Sequence, residues 1–180
     1  MSEKCDVLVT GTGMFAKRFT NDIALTAPKP IKITIAAREA EEGRQLEWLR
    51  QSGNARAAIA ERPVYFDTTY INWESPESVA ETIAACDPDV IVHAASVQPS
   101  KVVVDRASEW GRLVSIGSFS TTVIIQALLG SRVGKAMALA GSKATFMNCC
   151  YPDVTNAILK AMGYPVISGG GNIEILASVF

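Results

Sequence analysis

The stretch Cys5-Asp6-Val7-Leu8-Val9-Thr10-Gly11-Thr12-Gly13-Met14-Phe15-Ala16-Lys17-Arg18-Phe19 decides the fold. Its first six residues form a short apolar, β-branched run that ends at a glycine, the pattern of a strand buried on both faces of a parallel sheet. After Gly13 the period changes. Phe15, Phe19 and Ile23 recur at i, i+4 spacing on one helical face, while Lys17, Arg18, Asn21 and Asp22 fall largely elsewhere, until Pro28 and Pro30 end the pattern. The run 31–37, Ile-Lys-Ile-Thr-Ile-Ala-Ala, then reads as a second strand and completes a strand, glycine turn, helix, strand unit.

The rest of the chain continues the alternation. An Ala/Glu/Leu-rich stretch over 38–51 predicts a helix closed by Ser52-Gly53-Asn54, and 64–67 predicts a third strand. Ser75 supplies an N-cap, Pro76 the first helical position and Glu77 a favourable first-turn charge, with Val79, Ile83 and Cys86 facing inward. Residues 90–96, Val-Ile-Val-His-Ala-Ala-Ser, predict a central strand whose small last residues leave room for a ligand. Residues 98–118 carry no legible pattern. A long, mostly buried helix is expected over 119–140, stopped by Gly141-Ser142, followed by a strand over 144–148, a short helix over 155–162 with Gly163 at its C-terminal cap, and a last strand over 165–168. This order predicts an α/β fold with a doubly wound, mostly parallel sheet of the Rossmann type.

At 180 residues, 48% of them hydrophobic and 19% charged, the chain has the size of one domain spanning 1–180. A net charge of −1 and the lack of a long Lys/Arg run argue against nucleic acid and against a polybasic membrane patch. No apolar run is read as approaching the ~20 residues that cross a bilayer, and the N-terminus lacks a signal peptide's order, so a cytoplasmic protein is expected. Cys5, Cys86, Cys149 and Cys150 show no C-x-x-C spacing and read as idle thiols; with one histidine in the chain, a metal is not expected. The apolar end, Ile175-Leu176-Ala177-Ser178-Val179-Phe180, calls for cover: a further domain of a longer protein, its own domain, or a second subunit.

The glycine turn carries the chemistry. A dinucleotide's pyrophosphate binds where backbone N–H groups and the positive end of a helix converge, which requires close backbone approach. Gly11 and Gly13 permit that approach, and Ala16 fills the third place of G-x-G-x-x-G/A, where a small residue lets helix and strand pack tightly. Thr12, Met14 and Phe15 complete the turn, and Ala94, Ala95 and Ser96 face it from the central strand. After the second strand an NAD site places a carboxylate on the ribose hydroxyls, whereas a 2′-phosphate needs a cation. Here the strand ends Ala36-Ala37-Arg38, so Arg38 is the candidate for the 2′-phosphate, with Arg44 a weaker helper and Glu39 the ribose ligand on the alternative reading. NADP is the expected cofactor and NAD the second choice. Asp67, read as closing the third strand, suits the exocyclic amine of adenine or a plain strand-end turn. Asn148 suits the nicotinamide or a substrate polar group, and equally a cap on the following turn. His93 reads as a packed core histidine rather than a general base, and Cys149 has no histidine beside it in sequence to activate it.

Taken together, residues 7–19, Ile33-Thr34-Ile35-Ala36-Ala37-Arg38, the segment 89–95 and Tyr151-Pro152-Asp153-Val154-Thr155-Asn156 resemble the cofactor domain of the saccharopine dehydrogenase and reductase family. That resemblance implies NADP and an oxidoreductase, although Asp153 stands where the family has a glycine. The end of the chain is also similar to malate and lactate dehydrogenases, through Asn148, Asp153, Gly163-Tyr164-Pro165 and the glycines that follow. That likeness implies an Asn148 near the nicotinamide. Extended short-chain dehydrogenases share Thr10-Gly11 and His93-Ala94-Ala95, but no tyrosine here is followed by lysine four residues later, and that family is set aside. The leading expectation is an NADP(H)-binding oxidoreductase domain acting on a small carbonyl, imine or amino-acid-derived substrate, with its proton-transfer group outside this chain. The rivals are a non-catalytic NAD(P)(H) sensor and, on the second resemblance, part of a malate/lactate-dehydrogenase-like NAD enzyme.

Overall fold

The computed structural model describes residues 4–98, 107–150 and 153–169, apart from the side chains of Ala40, Glu41, Glu42 and Phe119. The apolar end read as needing cover, and Tyr151-Pro152, lie outside the described residues.

Strands β1 (Val7–Thr10), β2 (Ile31–Ala37), β3 (Val64–Tyr70), β4 (Val90–His93), β5 (Thr145–Asn148) and β6 (Val166–Ser168) form one sheet in the order β3-β2-β1-β4-β5-β6, and every neighbouring pair is parallel. This is the doubly wound, dinucleotide-binding topology expected from the alternation. The chain leaves β1 in one direction along the sheet and returns to β4 on its other side, so a crevice opens between the carboxyl ends of β1 and β4. Helices α1 (Met14–Thr26) and α2 (Glu39–Ile59) cover one face, and α3 (Pro76–Cys86), α5 (Val123–Leu139) and α6 (Val154–Ala161) cover the other. Phe66, Ile33, Ile35 and Leu49 fill the first layer; Leu8, Ile91, Phe146 and Met137 fill the second. Each such side chain contributes roughly 1.5–3 kcal/mol on leaving water.

Where the structure departs from the sequence reading, a tertiary contact is the reason. Ser52-Gly53-Asn54 does not end α2, which runs on to Ile59. Gly53 is there because the Phe66 ring lies against it, with room for no Cβ: one placed there would come within 2.8 Å of that ring. Asn54 donates to the Phe66 carbonyl (2.8 Å) and accepts from the Phe66 N–H (2.9 Å), closing part of the edge of the outermost strand with a side-chain amide. The fully buried face of α1 is Ala16, Thr20 and Ala24, with Phe15, Phe19 and Ile23 half-buried beside it; small residues let this helix approach the sheet closely. In the illegible stretch a helix α4 (Glu109–Gly117) is present, its Ser108 hydroxyl accepting from the Gly111 N–H. The expected helix over 119–140 is broken: a 3₁₀ turn (Phe119–Thr122) follows Ser118, which sits at φ 64°, and α5 proper starts at Val123. The expectation that no run approaches a bilayer's width is also corrected. Ser120–Leu139 is long and apolar enough by length and composition, and 56% of its most apolar 18 residues are buried within the fold.

Candidate functional site

A cleft of about 440 Å³ opens at the switch between β1 and β4. It is lined from the strand ends by Gly11, Thr12, Gly13, Ala94, Ala95 and Ser96, from α2 by Gln45, and from α5 by Leu128, Leu129 and Arg132. Arg38, Trp73 and Val97 complete the wall.

The strand register builds this wall. Thr10 pairs with Ala36 on one side and His93 on the other, so the chain leaves three adjacent strands at nearly one level. The Gly11 N–H then donates to the Ala36 carbonyl (2.8 Å), and the Ala94 N–H to the Thr10 carbonyl (2.9 Å). The next residues of each chain cross the top of the sheet together. Gln45 Nε2 donates to the Thr12 carbonyl at 2.8 Å and ties α2 to the turn.

The two glycines have different reasons to be there. Gly11 sits at φ 101°, and a Cβ on it would lie 2.9 Å from the Ala95 backbone, so the fold itself demands glycine. Gly13 has φ −67°, and a Cβ on it would meet nothing within 4 Å. Its exposed backbone caps α1 with no side-chain hydrogen bond, and the first turn carries no acidic residue. Among the described residues the positive end of α1 is therefore left without internal compensation, facing open space at the cleft: the arrangement a pyrophosphate fits.

Below the turn lies His93, fully buried, with Nδ1 2.7 Å from the Thr10 hydroxyl and its ring against Trp73 and Phe146. Its Nε2 finds no partner among the described residues. Burial holds the imidazole neutral, with the pKa pushed down to about 3. Cys150 donates to the Ala95 carbonyl, and burial raises its thiol to about 12, so it is an inert thiol at neutral pH.

Of the residues singled out from sequence, the structure brings Gly11, Thr12, Gly13, Arg38, Ala94, Ala95 and Ser96 to one cleft. Met14 is exposed at the start of α1, Phe15 is half-buried, and Ala16 is buried against the sheet. Asp67 does not close β3, which continues to Tyr70. Its carboxylate accepts from the Thr68 N–H, away from the cleft lining. Asn148 is buried at the end of β5, where its amide donates to Thr155 Oγ1 (3.0 Å) and Asn156 Oδ1 (2.6 Å), tying the strand to α6. Neither Asp67 nor Asn148 lines the cleft. Sequence reasoning missed Gln45, Trp73 and Arg132. Arg132 alone left a signal, as one of the few polar residues in an otherwise apolar helix.

No protein-family model matches the chain, and no curated protein sequence does. Solved structures match it in fold. The lactate dehydrogenase from Eimeria maxima with NADH and oxamate aligns at a TM-score of 0.61 and 14% identity, over 95% of this chain and 44% of that one. The lactate dehydrogenase from Cryptosporidium parvum, complexed with lactic acid and nicotinamide adenine dinucleotide, aligns at 0.56 and 14%, over 92% and 44%. A short-chain dehydrogenase from Oenococcus oeni PSU-1 aligns at 0.55 and 13%, over 93% and 80%. The chain thus spans 44% of the length of these lactate dehydrogenases. At such identities the likeness shows the Rossmann-type fold and singles out no family within it.

Proposed function

We propose that this chain is the NADP(H)-binding domain of a cytoplasmic oxidoreductase, resembling that of saccharopine dehydrogenase, which moves a hydride to or from a small carbonyl, imine or amino-acid-derived substrate. The observation that carries the reading is Gly13: an exposed glycine, not required by the fold, at an uncapped helix start facing the cleft. Thr12 and Gly13 hold the pyrophosphate through backbone N–H groups, Gly11 makes the tight turn that brings them there, and Ala94, Ala95 and Ser96 leave the opposite wall low. Arg38, exposed at the end of β2, supplies the cation that a 2′-phosphate requires. When bound, the nicotinamide supplies the hydride chemistry itself.

Among the described residues the cleft lining includes Arg38 and Arg132 but no His, Cys, Asp, Glu, Lys or Tyr, and His93 below it is buried and neutral. We read the proton-transfer residue as lying outside that described lining, in a further region of a longer protein or in a partner. The same observation favours a second reading, a dinucleotide sensor without catalysis. Calorimetric titration of the whole chain with NADPH and NADH tests the cofactor assignment. NADPH is expected to bind roughly ten- to a hundredfold more tightly, and Arg38→Ala to narrow the gap. Failure to bind either cofactor overturns the reading.

A further inference from the structure

A second cleft, of about 670 Å³, adjoins the first between the end of β3 and α3. Arg38, Trp73 and Arg132 line both, so these three residues form the wall between them. Arg132 arrives there from α5, whose Val133, Ala136 and Met137 are buried in the core, and is itself half-buried. One guanidinium N–H donates to the Trp73 carbonyl, which fixes the fork; the other donors of the guanidinium have no partner among the described residues. No ion pair to Arg132 occurs among the described residues. A half-buried cation with no ion-pair partner among the described residues, in the wall of a ligand-sized cleft, suits an anionic group of a ligand.

We infer that Arg132 is a second phosphate-binding arginine, closing with Arg38 on the 2′-phosphate of the dinucleotide. This rests on the cofactor reading above and extends it to a residue on a helix remote in sequence from the strand that carries Arg38. A phosphate monoester carries close to two negative charges and three acceptor oxygens, more than one exposed arginine satisfies. The second cleft is also lined by Glu39, Glu74 and Glu81, whose carboxylates repel an anion, whereas no carboxylate is among the described residues lining the first. That favours the first cleft's side of the shared wall, which Arg38 and Arg132 both line, as the place for the phosphate. The pyrophosphate, held at Gly13 and the start of α1, is a separate subsite.

The test is calorimetric titration of the whole chain and of Arg132→Gln, Arg132→Lys and Arg38→Ala with NADPH and NADH, and with adenosine 2′,5′-bisphosphate against 5′-AMP. Arg132→Gln is expected to weaken NADPH and the bisphosphate about tenfold, leave NADH and 5′-AMP within twofold, and flatten the salt dependence of NADPH binding. Arg132→Lys, which keeps the charge and loses the fork, should fall between. Equal loss for both members of each pair, or no loss, overturns the inference, because it means Arg132 only braces the Trp73 carbonyl. If Arg132→Gln does not fold, the same comparison on Arg132→Lys decides. A wild-type chain that binds neither cofactor fails the cofactor reading itself. A preference for NADPH that Arg38→Ala removes and the Arg132 variants leave intact fails this inference alone.

Discussion

Gly11 and Ala95 meet backbone to backbone: a Cβ on Gly11 would stand 2.9 Å from the Ala95 Cα, whereas one on Gly13, two residues on, would touch nothing. The fold requires the first glycine and not the second, which the proposed function gives to the ligand. Gly11→Ala should therefore destabilise the chain by at least about 1–3 kcal/mol, from the positive φ together with the clash. Gly13→Val should leave the denaturation midpoint nearly unchanged and abolish NADPH binding, because a branched side chain would occupy the phosphate space. Urea denaturation and calorimetry on the two variants check this. A strongly destabilised Gly13→Val, or one that binds normally, contradicts the assignment.

His93 makes the protein sensitive to mild acid. Its folded pKa of about 3 lies below the ~6.5 of an unfolded histidine, so below pH 6.5 the unfolded chain takes a proton that the folded chain refuses. The stability held by the neutral form is complete above pH 6.5 and is lost as pH falls from there toward 3. The slope is about 1.4 kcal/mol per pH unit, hence about 2 kcal/mol between pH 6.5 and 5. His93 is the single histidine in the chain, so no other imidazole contributes to that window. Urea midpoints measured from pH 7.5 to 5 should fall in the wild type and stay flat in His93→Gln; parallel curves would contradict the burial argument.

Asn54 should be worth more than its half-buried surface suggests. Its amide pairs with both the N–H and the carbonyl of Phe66 on the sheet's outer strand. Asn54→Ala leaves both groups without that partner, at a cost of about 1–3 kcal/mol. Asn54→Asp keeps the acceptor but sets a carboxylate oxygen against the Phe66 carbonyl, and should cost at least as much. Denaturation midpoints at an unchanged m-value provide the measurement. A neutral Asn54→Asp would show that the amide's donor is dispensable.

The Ser75 cap, the period of α3 and the parallel order of the strands were legible because each rests on interactions within a few residues or on burial that repeats along one element. Residues 98–118 were not legible: the amphipathic helix they contain spans only Glu109–Gly117, too short for its period to stand out. Ser52-Gly53-Asn54 was read as a helix end because it has the residues of one, and a turn signal cannot be told locally from a glycine and an amide used against a neighbouring strand.

The candidate site divides the same way. By itself the sequence placed the glycine turn, the Arg38 that follows the second strand, and the small residues opposite at the candidate site, because each occupies a fixed position relative to a strand end. Only the tertiary structure decided which glycine the fold can spare, that Asp67 stops short of the end of β3, that Asn148 is turned to α6, and that Arg132 stands in the cleft wall. Those facts depend on the register of β3 against β2 and on how α5 lies across the sheet. Register and helix placement are set by the packing of side chains far apart in the chain, and no local pattern carries them.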